Sequence, residues 1–471
     1  MKRRRLLGCI ASIVAASTIL AGCGNTEIET TSAQSAVSSS QAETTATEES
    51  PATSSSTEKA ESNLSGTIRF LCGTDDAEAI KTTFAEFQKL YPNANLDEVI
   101  AQDVTDSETL MSTWIASGDF PDMCIQQTGS LQQSYMKDGY FAPLDDLGVM
   151  DRLVEGDTSL IQYNGKYYQF PLTSAISVTI CNNGVLKDMG INLTVDNYPK
   201  DMDEFINLLQ QTRDNGVQYP YGIAGADSSS CTAWPFQYMY QTLYGEDPNW
   251  YADVLSGKKK WNDPEFLEMF NQYNRIREYV SPDSTGKQNA DLQADFIKGD
   301  TIFYSQVATS VASLRELDPD LDIICLPSSF TKDTTDQTLI SGFDKGLSIF
   351  SSTKNMELCR AFMDYITSPE GSTVFINSSG CVPTVKGCEA EVDPAYDIVL
   401  AVMQSGTLPN SPILSRQWIA GFKELLKTGC QNWLAGEDAQ SVADTIQEGH
   451  QRLMNADPQW VQNFLDNYKW K

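Results

Sequence analysis

Apolar and polar positions alternate along most of this chain in two rhythms. Thr67-Ile68-Arg69-Phe70-Leu71-Cys72 is β-rich and reads as a strand. A Gly-Thr-Asp-Asp turn comes next. Ile80, Phe84, Phe87 and Leu90 then recur at spacings of four, three and three, the rhythm of one helix face. Thr74, Asp75 or Asp76 caps that helix and Pro92 stops it. Residues 122–126 and 177–181 read as further strands, and 201–212 as a helix carrying Phe205, Leu208 and Leu209. Asp263-Pro264 starts a helix with Phe266, Phe270, Tyr273 and Arg277 at helical spacing. Residues 321–326 suit a buried strand, 355–367 a helix, and the end of the chain is mostly helical. Strands separated by helices predict an α/β fold with parallel sheets. In such sheets ligands sit beyond the carboxyl ends of strands, which makes Asp75 and Asp76 candidates for a site edge as well as for a helix cap.

The first 65 residues break this pattern. Met1-Lys2-Arg3-Arg4-Arg5 is basic, an apolar run extends to about Leu20, and Leu20-Ala21-Gly22-Cys23 closes it. A basic start, a short apolar run and small residues before a cut describe a secretory signal over 1–22. The run is shorter than the ~20 residues a spanning helix needs. Residues 23–65 are rich in Ser, Thr, Ala and Glu and hold no aromatic residue. They cannot bury enough apolar surface to offset ordering and are expected to form a flexible tether with a reach of roughly 35 Å. The rest of the 471 residues is too long for one core, so two lobes are expected.

Composition narrows the function. The net charge of −30 argues against nucleic acid, whose phosphates need a basic face, and against a polybasic grip on anionic lipid. Eleven cysteines without a Cys-x-x-Cys pair, and one histidine, give no zinc ligand set and no disulfide framework. Cys381 and Cys388 are close enough in sequence to pair; the others are expected as small buried apolar residues. His450 lies in a polar helical segment and is expected on the surface. One histidine also leaves little room for Ser-His-Asp or Cys-His catalysis. There is no Walker-type loop and no Gly-x-Ser-x-Gly elbow. No catalytic residue and no cofactor or metal is expected.

Several segments resemble one family in the right order. Gly118-Asp119-Phe120-Pro121-Asp122 resembles the Gly-Asp-x-Pro-Asp motif of family 1 extracellular solute-binding proteins, the maltose-binding-protein-like group. Asn164-Gly165-Lys166-Tyr167-Tyr168-Gln169-Phe170-Pro171 is similar to its Gly-Lys-x-Tyr-x-x-Pro segment. Tyr198-Pro199-Lys200-Asp201-Met202-Asp203-Glu204-Phe205, Lys298-Gly299-Asp300-Thr301-Ile302-Phe303, Ser352-Thr353-Lys354-Asn355, Tyr365-Ile366-Thr367-Ser368-Pro369-Glu370-Gly371 and Trp433-Leu434-Ala435-Gly436-Glu437 are similar to others. Leu-Ala-Gly-Cys resembles a lipoprotein box, which implies that Cys23 carries a diacylglycerol; two acyl chains anchor firmly where one does not.

The resemblance implies a bilobed α/β fold with at least two chain crossings, each lobe a mainly parallel sheet flanked by helices. Lobe 1 is expected over 66–176 and 338–380, lobe 2 over 177–337 and 381–471. It further implies a monomeric binding protein at the cell membrane, facing outward, that delivers a small saccharide to the permease of an ABC importer. Aromatic rings cover sugar faces, while amides and carboxylates bond hydroxyls. The candidate contacts are Asp75, Asp76, Asp122, Gln126, Gln127, Trp234, Gln306, Phe343, Asp344 and Trp418. The family's Gly-x-Trp turn reads Val307-Ala308-Thr309 here, so one stacking ring is missing. The Asn-Lys-Asp and Gly-Gly segments read Asn182-Asn183-Gly184 and Ser341-Gly342. Two alternatives remain: a lipid-anchored cell-wall glycosidase, which needs two carboxylates across a cleft, and a surface sensor or adhesin that keeps the fold without transport.

Overall fold

A computed structural model describes residues 64–102 and 104–467. The signal, Cys23 and the tether lie outside the described residues.

The first sheet has the order β2-β1-β3-β11-β6. Its strands are β1 (Ser65–Gly73), β2 (Asn93–Ala101), β3 (Met123–Gln127), β6 (Phe170–Pro171) and β11 (Lys345–Ile349). β1, β2 and β3 are parallel, whereas β11 runs antiparallel to both β3 and β6. Interior position explains the β1 sequence. Ile68, Phe70 and Cys72 point to one face, where Phe84, Phe87 and Phe362 cover them. Leu71 points to the other, against Met111, Trp114 and Phe350. Both faces are covered, so the strand reads as nearly continuous apolar sequence rather than as alternation. The helix Ala77–Leu90 buries Ile80, Phe84 and Phe87 as its spacing predicts, but Leu90, in its last turn, stays exposed.

The second sheet departs from the expected parallel pattern. It is organised around the ten-residue β7 (Thr173–Asn182). The first half of β7 pairs antiparallel with β10 (Leu339–Phe343) and β12 (Val382–Pro383). Its second half pairs antiparallel with β8 (Phe303–Val307) and β9 (Ile323–Pro327). Only β13 (Asn410–Ser411) adds a parallel pairing, to β10. A strand that enters the second lobe from the first runs against the strands built there, which periodicity alone does not show. A small hairpin, β4 (Gln162–Tyr163) with β5 (Lys166–Tyr167), stands apart; Asn164, at positive φ, makes its turn together with Gly165.

The chain passes between the sheets at Leu172 and at Asp344, and a third time within 381–393. There β12 pairs with β7 while Val385 joins the first lobe's core. The pairing therefore puts 173–176 and 339–343 in the second sheet. His450 is fully buried, unlike the expected surface position: its ring packs against Tyr251, Trp261 and Phe422. On the helix Ala439–Ala456 it ends an inward-facing stripe of Val442, Ala443, Ile446 and Gly449, which its polar neighbours in sequence obscure. All nine described cysteines are free thiols, Cys381 and Cys388 among them.

Candidate functional site

A cavity of about 260 Å³ lies where the two lobes meet. The first lobe contributes Gln127 at the carboxyl end of β3, Thr128 and Gly129 in the adjoining loop, the start of the helix Ser130–Lys137, and Glu108 from the helix Val104–Ser117. The second lobe contributes Ser177 of β7, Gln306 and Val307 at the end of β8, and Thr232, Ala233 and Phe236 from the helix Ser228–Tyr238. Tyr240, Ile413, Ser415, Arg416 and Lys423 complete the wall. The lining mixes hydroxyls and amides with apolar side chains, two of them aromatic rings.

Gly129 is tightly placed. A Cβ there would stand 3.3 Å from the Arg416 carbonyl oxygen, so the two lobes approach backbone to backbone. Ser130 Oγ donates to the Trp418 carbonyl across the same seam, at 3.2 Å.

The wall is held by a buried ion pair. Arg416 and Asp344 meet at 2.5 Å with side chains 7% and 8% exposed. Arg416 also donates to Thr128 Oγ1 at 3.2 Å and to the Phe343 carbonyl. Gln127 Nε2 donates to Asp344 Oδ1 at 3.3 Å, and the Thr128 amide donates to the Asp344 carbonyl at 2.7 Å. Tyr240 Oη accepts from the Ser415 amide at 3.1 Å and fixes that loop. Such a pair tolerates burial because its hydrogen bonds are satisfied.

Of the residues expected from sequence, Gln127 and Gln306 line this cavity. Asp344 stands directly behind it, bound to Arg416. Trp418 is a support: it meets the Phe236 ring edge-on at 4.9 Å, and its indole donates to Tyr244 Oη at 3.2 Å. Gln126 turns away to bond Ser107 at 2.9 Å, because successive strand side chains alternate faces. Asp122 is occupied in the first lobe, accepting from the Arg69 amide at 2.8 Å and from Thr353 and Asn355. Phe343 lines a different cavity, of about 580 Å³, beside the hinge.

Asp75 and Asp76 both bond Lys345 rather than the cavity. Burial, with Asp75 nearby, raises the Asp76 carboxyl to about 6 in spite of Lys345. Trp234 is core: its ring lies 4.0 Å from Tyr273, and Phe330 packs beside it. On that helix, positions 232, 233 and 236 share the cavity face, and 234 falls on the other side. The spacing of Thr232, Ala233 and Phe236 was the available signal. The chain holds Arg416 two residues before Trp418, but only folding shows which of the two reaches the cavity.

Chemically the site is suited to exchanging hydrogen bonds. Glu108 is the sole carboxylate in the lining, since Asp344 is committed to Arg416, so no acid pair faces the space. Among the described residues no group of three His, Cys, Asp or Glu side chains converges to hold a metal ion.

Two lobes, a strand-crossed hinge and a polar cavity at their junction define a solute-binding fold. The chain belongs to the bacterial extracellular solute-binding protein family, whose model matches residues 82–400; members of that family bind substrates and are not enzymes. Solved structures share the fold at low identity. The solute-binding protein RafE in complex with raffinose is 20% identical, with 83% of this chain and 100% of that one covered and a TM-score of 0.69. A chitin oligosaccharide binding protein is 19% identical, covering 83% and 99%, with a TM-score of 0.70. The putative binding protein MsmE of Bacillus subtilis, in an open conformation, is 17% identical, covering 84% and 100%, with a TM-score of 0.70. No curated protein matches the sequence significantly.

Proposed function

We propose that this protein is the lipid-anchored, extracytoplasmic substrate-binding component of an ABC importer, and that it captures a sugar or short oligosaccharide between its lobes. The observation that carries the reading is the composition of the cavity wall. Gln127, Thr128, Ser130, Gln132, Ser177, Thr232, Gln306 and Ser415 offer donors and acceptors for hydroxyls, and the Phe236 and Tyr240 rings offer apolar faces. The raffinose and chitin oligosaccharide ligands named for proteins of the same fold support it.

In this reading the lobes are 66–176 with 338–380 and 177–337 with 381–471, adjusted so that the 173–176 and 339–343 strands move with the second. The ligand enters an open cleft, side chains replace its water, and hinge closure about Leu172 and Asp344 excludes solvent. The permease reads the closed shape. Cys23 holds the body to the membrane through its acyl chains, and the tether of 24–65 gives it reach.

A thermal-shift screen over mono- and oligosaccharides tests the reading. A ligand that binds only the native state raises the midpoint, by about 2.7 kcal/mol of stability at a hundredfold excess over Kd. A broad panel that leaves the midpoint unmoved refutes the saccharide assignment. For the anchor, mass spectrometry of the membrane-extracted protein is expected to find a diacylglycerol on an N-terminal Cys23; an unmodified Cys23 refutes it.

A further inference from the structure

Two amide side chains in the cavity wall find no full set of partners in the fold. Gln132, on the helix Ser130–Lys137 of the first lobe, is 8% exposed, and among the described residues its side chain makes no hydrogen bond. Gln306, near the end of β8 in the second lobe, is 7% exposed. Its Oε1 accepts from the Val307 amide at 3.1 Å, and its Nε2 has no acceptor among the described residues. Neither amide is sealed in the interior; both border the cavity, one from each lobe. Most polar groups buried this deeply are bonded within the protein. Here the contents of the cavity must bond them.

Ser177 adds a third group with a defined direction. The fully buried Gln237 donates from Nε2 to Ser177 Oγ at 2.8 Å and to the Val178 carbonyl at 3.2 Å. Ser177 Oγ therefore accepts from behind and keeps its own hydrogen for the cavity that it lines. Backbone partners fix both amides: a carbonyl acceptor requires nitrogen at Gln237, and an N–H donor requires oxygen at Gln306. The free ends of Ser177 and Gln306 are thus both donors. Charge is not what is missing. Arg416 is held by Asp344, and Glu108 stands in the field of Lys423 from the other lobe.

We propose that Gln132 and Gln306 set the specificity of the cavity by gripping an uncharged sugar from opposite lobes, and that the donors of Gln306 and Ser177 read its oxygen atoms and reject an amine. The inference rests on the cavity being the sugar site and adds which contacts choose the ligand. In the open cleft water supplies these bonds. A sugar that displaces the water must re-form them, and an ammonium facing Gln306 Nε2 sets donor against donor.

Calorimetric titration of the full chain tests it. The probes are glucose, galactose, mannose, cellobiose, lactose and sucrose, with common amino acids and dipeptides alongside; the tightest sugar is then compared with its amino-deoxy derivatives at each ring position. At least one such derivative is expected to bind about tenfold weaker than the parent sugar, or worse. Gln132→Leu, Ser177→Ala and Gln306→Glu are each expected to weaken the parent sugar at least about tenfold. Gln306→Glu keeps the oxygen that the Val307 amide needs and turns the free donor into an acceptor, so it is expected to narrow the gap between sugar and amine. Because Gln132→Leu and Gln306→Glu break no bond within the fold, the urea midpoint of the ligand-free chain is expected to hold. A sugar that binds the Gln132 and Gln306 variants as tightly as the parent chain overturns the inference and leaves the sugar reading standing. Amino derivatives that bind as well as the sugar at every position do the same, as does a lowered urea midpoint for either variant. An amino acid or dipeptide that binds through Gln132 and Gln306, with no sugar binding, sinks the sugar reading and keeps the two contacts. A chain that binds none of the probes sinks both.

Discussion

Asp344 and Lys345 are neighbours at the hinge, yet each anchors a buried ionic cluster in a different direction. Lys345 reaches back to Asp75 and Asp76 beyond the end of β1, so that cluster closes within the first lobe. Asp344 reaches Arg416 from the second lobe, with Gln127 and Thr128 attached, and that cluster becomes the cavity wall. Alternation of side chains along an extended strand sends consecutive residues to opposite faces. The difference teaches that, of two neighbouring residues at the hinge, the one whose partner comes from the other lobe is the one that braces the cavity wall. The largest effect comes from breaking the second cluster. Asp344→Ala leaves a guanidinium 7% exposed without its charge partner, and about 3–5 kcal/mol of stability is expected to be lost. Asp75→Ala removes an exposed partner and is expected to cost about 0–1 kcal/mol. Urea unfolding of both variants measures the gap, and equal losses would erase the distinction.

The same division between inward and cavity-facing residues runs through one helix. Trp234 and Phe236 are two positions apart on Ser228–Tyr238, one in the core and one on the cavity. Trp234→Ala is expected to cost about 3–5 kcal/mol of stability, as large aromatic truncations in a core do. Phe236→Ala is expected to weaken ligand binding roughly tenfold, since a stacking face contributes on the order of 1 kcal/mol beyond its buried area. Unfolding and titration of each variant separate the two roles. Weakened binding with unchanged stability for Trp234→Ala would move it back into the site.

The fold was largely legible because its signals are local. Ile80, Phe84 and Phe87 announce a helix face, and Asp263-Pro264 announces a helix start; both appear where the spacing puts them. The antiparallel second sheet was not legible, because strand direction depends on where the chain crosses between lobes. The site was half legible for the same reason. Gln127 is expected from its place at the end of β3, a position topology favours. Arg416 lies nearly three hundred residues further along, and nothing near it in sequence indicates that it meets Thr128 or Asp344. Trp234 and Trp418 drew attention as aromatic residues, but a large ring is as well used in packing as in binding, and the two places differ by a single helical step. His450 was misplaced because its nearest neighbours in sequence are polar, although it continues the inward stripe of Val442, Ala443, Ile446 and Gly449 at helical spacing.

The first cluster is tested by pH. Lys345 stays charged because two carboxylates share it, and the cost of burial falls on Asp76, whose carboxyl sits at about 6 rather than near the free value of about 3.9. Between those two values the folded chain holds a proton on Asp76 that the unfolded chain has released. Stability from this group therefore falls as pH rises from about 4 to 6 and changes no further above that. Asp76→Asn removes the titration. Its stability relative to the parent is expected to climb across pH 4–6, by at most about 1.4 kcal/mol per pH unit, and then to level off. Denaturant unfolding at half-unit steps of pH tracks the difference. A difference independent of pH would mean that Asp76 remains ionised at little cost, and the first-lobe cluster would then be as well compensated as the Asp344–Arg416 pair that shapes the cavity.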